Sequence, residues 1–112
     1  MQSRRRVSCG PETVEGWLLR GPDRVARVHS RFDLYRESII ATTFGGSEEL
    51  PDSWLVRENG RMKILQGGSD LQDIEQLVLE LDSGERWRVQ VDRNWINGAI
   101  SWEIGYLGSE PR

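Results

Sequence analysis

The chain has 112 residues, enough for one domain with a modest core, and carries a net charge of −3 with 37% apolar and 29% charged side chains. Its apolar residues recur in tight local patterns from Val14 to Leu107, which excludes a disordered chain, and its single cysteine, Cys9, excludes an internal disulfide or a cysteine-built zinc site. No apolar run approaches the ~20 residues of a transmembrane helix, and no apolar stretch follows the first arginines, so the expectation is a cytoplasmic protein without a signal peptide.

Residues 1–11 read as a flexible basic arm ending at Gly10-Pro11, and residues 12–109 as a single β domain. Seven arginines in residues 1–31 stand against Glu12, Glu15 and Asp23, a net of +4 on an otherwise acidic body. That patch is narrower than the broad basic surface nucleic-acid binding requires. A solvated arm is the simpler reading.

Val14–Leu19 reads as a strand, and Arg20-Gly21-Pro22-Asp23 as a turn. From Val25 to Leu34, Ala26, Val28, Ser30, Phe32 and Leu34 share one side of an extended run. Arg36-Glu37-Ser38 is expected to turn the chain into a further strand, Ile39–Phe44, ended by Gly45-Gly46. Ser47–Ser53 reads as an acidic loop. Trp54–Leu65 is expected to be a hairpin about Asn59-Gly60, a pair suited to the two positive φ angles of a type I′ turn. That hairpin sets Glu58 opposite Arg61, Leu55 opposite Ile64 and Trp54 opposite Leu65.

Gly67-Gly68-Ser69 breaks the chain again, and one helical turn fits Ser69–Ile74. Helical spacing continues to Leu81, but the alternation of Leu77, Leu79 and Leu81, answered by Trp87, Val89 and Val91, favours strands. A loop at Ser83-Gly84-Glu85 sets Leu81 against Trp87, Leu79 against Val89 and Leu77 against Val91, with Glu80 opposite Arg88 and Asp82 opposite Arg86. A second type I′ turn at Asn97-Gly98 pairs Ile96 with Ala99, Trp95 with Ile100, Arg93 with Trp102, Val91 with Ile104 and Val89 with Tyr106. Both turns place Val89 and Val91 on one face, so Leu77–Tyr106 is predicted to be a three-stranded meander.

Arg93 is the charged residue on that apolar face. Beside Trp95, Trp102 and Tyr106 it is a candidate ligand-binding group: a guanidinium stacks on aromatic rings for ~0.5–2 kcal/mol and holds an anionic small ligand in a barrel mouth. The plain alternative places Arg93 at the sheet's end, its stem over Trp102 and its head in water. On the other face Asp92 falls opposite Glu103, a like-charge pair open to a partner's arginine. Trp54, less constrained than the meander tryptophans, joins them as a candidate partner contact. No third ligand accompanies the acidic pair, so no metal site is expected. His29, the sole histidine, has no nucleophile motif to serve, and no catalytic or cofactor motif is present.

These readings predict an all-β fold: a small antiparallel up-and-down barrel or two-sheet sandwich of about seven or eight strands, with at most one short helical turn. The expected function is a non-catalytic protein-binding module of the inhibitor, immunity or adaptor type, with no cofactor and with homodimerisation through an edge strand as one mode of assembly. The alternative is a calycin-like small-molecule binder or small enzyme with an Arg/aromatic-lined cavity.

Overall fold

The computed structural model describes residues 2–110. Six antiparallel strands make up the fold: β1 (Gln2–Arg20), β2 (Asp23–Thr43), β3 (Gly46–Gly67), β4 (Glu75–Leu81), β5 (Arg86–Ile96) and β6 (Ala99–Ser109). They close in the order β1-β2-β3-β6-β5-β4. The all-β expectation holds and the sheet closes into a barrel, but not an up-and-down one: β3 pairs with β6 and β1 with β4, so two three-stranded meanders are clasped edge to edge. Strands predicted to be separate are fused, because Arg36-Glu37-Ser38 continues β2 and Ser47–Ser53 lies within β3. No helix forms among the described residues, and Ser69–Ile74 is turns and irregular chain.

The second meander forms as read, with one correction to its register. All the Asn97-Gly98 pairs are present, from Ile96–Ala99 to Val89–Tyr106, and both turn residues take positive φ (51° and 79°). The β4–β5 turn lies one residue earlier than expected. Leu79 faces Trp87, Leu77 faces Val89 and Glu80 faces Arg86. Gly84, at φ 93°, ends a three-residue loop that begins at Asp82. A shift of two residues keeps every side chain on its face, so the core alternation cannot detect it. The shift frees Asp82, whose carboxylate takes two hydrogen bonds from Arg27 at 2.6 and 2.7 Å.

Asn59-Gly60 is not a hairpin. β3 runs straight through it, and the pair sits opposite the single residue Phe32, between Arg31–Arg61 and Asp33–Glu58. Asn59 takes φ 52°, but Gly60 does not join it in the positive region. The result is a β-bulge, an insertion that bends the strand. A matching irregularity on β1 puts Cys9 and Gly10 opposite Leu34. These two bulges flank one stretch of β2 and mark where β1, β2 and β3 leave the barrel as a long three-stranded arm. The segment expected to be flexible is part of it: Gln2–Ser8 pair with Ala41–Tyr35. The barrel itself is filled by Leu18, Val28, Phe32, Leu79, Val89, Val91 and Ile104, all almost fully buried. Leu71, on the loop from β3 to β4, is buried with them.

Both closing seams are short. β1 meets β4 through Gly16–Leu81 to Leu19–Val78, and β3 meets β6 only at Arg61–Glu103 and Met62–Trp102. Each seam has a glycine at its tightest point. A Cβ on Gly16 would lie 2.2 Å from the Glu80 carbonyl oxygen, and one on Gly60 would lie 1.9 Å from that of Ile104. Any larger residue forces the backbones apart.

Candidate functional site

Two elements project from the barrel. At one end is the arm; from the other, the β5–β6 hairpin runs beyond Val91 and Ile104. β4 stops pairing with β5 at Glu75–Val91, and the Arg93 amide donates instead to the Asp73 carboxylate (2.8 Å). The inward face of the barrel therefore continues onto an open ribbon. Arg93 lies opposite Trp102 and Trp95 opposite Ile100 on this face. Trp95 is 67% exposed and Ile100 50%. Trp102 is half-buried and packs against the core. Arg93 is exposed at the barrel's end, and its side chain makes no hydrogen bond, ion pair or ring stack among the described residues.

Tyr106 does not join this group. Four residues further along β6, ~13 Å at strand spacing, it packs edge-on to Trp87 with ring centres 5.1 Å apart. The four residues proposed to line a cavity are instead strung from core to solvent. The guanidinium among aromatic rings is that of Arg57, 4.4 Å from the Trp87 ring centre and 4.9 Å from that of Tyr106. Its Nε donates to one Glu12 carboxylate oxygen and its Nη2 to the other at 3.2 Å. Glu12 lies opposite Phe32 on the inward face, so the ion pair plugs the barrel where the arm begins. The hydrogen bonds to Glu12 raise the Arg57 pKa. Sequence reading assigned Arg57 to the false hairpin; the signal that bears on it is Glu12, two residues before Val14 and thus on its inward-facing side.

Trp54 lies on the arm, away from the hairpin. Its indole N–H donates to Glu37 (3.1 Å), a residue only 8% exposed, whose carboxylate also takes hydrogen bonds from Arg6 at 2.9 and 2.6 Å. Arg6, Glu37 and Trp54 are direct cross-strand neighbours in one row. The Arg6 hydrogen bonds hold the Glu37 carboxyl below its ordinary range. Arg6 reaches Glu58 as well, Arg5 reaches Glu49, and Arg4 lies over Trp54. The basic N-terminal segment thus spends its arginines within the arm. Phe44 is fully exposed at the arm's tip.

Asp92 and Glu103 are opposed as expected, and Arg61 adjoins Glu103 across the β3–β6 seam. A shallow depression of about 210 Å³ is lined by Arg61, Asp92, Glu103 and the bulge residues Asn59 and Gly60, among others. His29 Nδ1 lies 3.0 Å from Glu15 and Cys9 is exposed. Among the described residues no cluster of three His, Cys, Asp or Glu side chains is placed to hold a metal ion. No helix among the described residues is long and apolar enough to cross a membrane. No protein-family model, curated protein or solved structure matches this chain.

Proposed function

We propose that the protein is a non-catalytic binding module that grips another folded protein with its β5–β6 hairpin. The supporting observation is the apolar core stripe running out of the barrel onto the open ribbon, where Trp95 and Ile100 face each other and stay largely in water. A tryptophan in that setting is the kind of residue that anchors an interface by filling a partner's pocket. Arg93 on the same face suits a carboxylate at the pocket's rim. The inward positions one level deeper, Val91 and Ile104, are almost fully buried, which favours this reading over a ligand cavity.

The test compares proteins retained from native lysate by the wild type with those retained by Trp95→Ala and Ile100→Ala. A stoichiometric partner held by the wild type and weakened about 30-fold or more by Trp95→Ala is the expected result, in line with ~2 kcal/mol for an interface anchor. A partner indifferent to both substitutions, or none at all, removes the hairpin from the role.

A further inference from the structure

Several charged side chains on this molecule are clasped by partners on other elements. Arg6 holds Glu37, Arg20 holds Glu75 and Arg27 holds Asp82, each within 2.6 Å at the closest approach. One row of four charged residues in register differs. Across β5, β6, β3 and β2 the direct cross-strand neighbours are Asp92, Glu103, Arg61 and Arg31. Two acids stand side by side, followed by two bases. Arg31, Arg61 and Glu103 are exposed, and their side chains make no hydrogen bond or ion pair among the described residues. Asp92 has only the Gln90 side-chain amide, at 3.2 Å.

Like charges directly opposite one another on a sheet destabilise it. This row carries two such pairs, and both are left without a partner's opposite charge in contact. At ~4.8 Å between strands the row spans ~14 Å. The ground beneath it is slightly hollow: the depression at Arg61, Glu103 and Asp92 adjoins a second of about 310 Å³ lined by Arg31, Asp33, Asn59 and Arg61. The side chains therefore rise from a shared groove.

A row that reads acid, acid, base, base has a special property. Turned by a two-fold axis lying between two facing molecules, it meets its own reverse. Asp92 then faces Arg31 of the second copy, Glu103 faces Arg61, and the remaining pairs follow by symmetry. That is the self-complementarity a two-fold interface requires. A free anion would suit the arginines but meet Asp33 and Glu103 at the rim, and a free cation would meet the arginines. A second copy of this chain satisfies all four charges at once. We infer that the Asp92–Glu103–Arg61–Arg31 row is the contact face of a symmetric homodimer held by reciprocal ion pairs. The inference does not depend on the role of the hairpin, whose apolar face points the other way.

Sedimentation velocity across protein concentration, at 50 and 500 mM NaCl, tests it. The expected result is a dimer at low salt that dissociates at high salt, because exposed ion pairs are screened. Arg61→Ala and Glu103→Ala each weaken the dimer about tenfold, since each removes two symmetry-related pairs. R31E/R61E carries four acids in the row and D92R/E103R four bases. Each double variant is monomeric alone, and an equimolar mixture forms the heterodimer, which shows that both are folded. A wild type that stays monomeric at low salt overturns the inference. So does a dimer indifferent to these substitutions, an assembly larger than two, or a mixture that fails to pair although circular dichroism shows both variants folded.

Discussion

Gly16 and Gly60 occupy two of the places where this barrel has no room for a side chain. Neither has a positive φ, so the demand on them is not conformational. It is steric: each lies where two backbones approach too closely for a Cβ. Flexible side chains relieve a clash by rotating, but a carbonyl oxygen in a ladder moves only with its strand. Gly60→Ala and Gly16→Ala are therefore expected to destabilise the fold by on the order of 1–3 kcal/mol, or more where the seam opens. In thermal unfolding that lowers the midpoint by about 5 °C or more. A midpoint unchanged in both variants refutes the account of the seams. The Glu12–Arg57 pair works differently, because its charged groups satisfy each other while the Arg57 guanidinium stacks against Trp87 and Tyr106.

Among the elements, the arm depends most on charge. Its three strands lie outside the barrel core and are bound across by Arg6, Glu37, Glu58 and Trp54. The Glu37 pKa is lower in the folded chain than its ordinary 4.5, chiefly through hydrogen bonds from Arg6. The folded arm thus holds fewer protons than the unfolded one, and this contribution is complete above pH 4.5 and lost as pH falls through the folded value. Below about pH 4.5, hydrogen-exchange protection of residues 35–41 is expected to fall before that of Val28 and Val89 in the barrel. Glu37→Gln should remove that pH dependence; protection that declines uniformly would dissociate the arm from its carboxylate. The same elements show what a sequence discloses. Asn97-Gly98 and Asn59-Gly60 are identical dipeptides, yet one is a turn and the other a bulge. The first is flanked by residues that pair with one another, so local information suffices. The second is decided by Phe32 and by the Ile104 carbonyl, both remote in sequence. Alternation placed Trp95, Arg93 and Trp102 on one face correctly. It carried no information on where β4 ends, and that is what exposes the ribbon.

The whole molecule measures 59 × 39 × 20 Å, and its radius of gyration of 17.3 Å exceeds the ~13 Å of a compact chain this long. The excess reflects the two projections. A dimer formed along the charged row of the barrel would leave the arm tip and the hairpin's apolar face of each copy free, so self-association and partner binding would not compete.

The barrel is closed by few pairs, all between residues far apart in the chain, while each meander is built from neighbours. Loop closure makes distant contacts slow to form and local ones quick. We expect the seams to close last, after the transition state has been crossed. Substitutions there act on the rate of escape from the native state rather than on the rate of reaching it. In denaturant-dependent kinetics, Gly16→Ala and Gly60→Ala should raise the unfolding limb and leave the refolding limb in place. The lifetime of the closed ring, more than its speed of assembly, is what those two absent methyl groups protect.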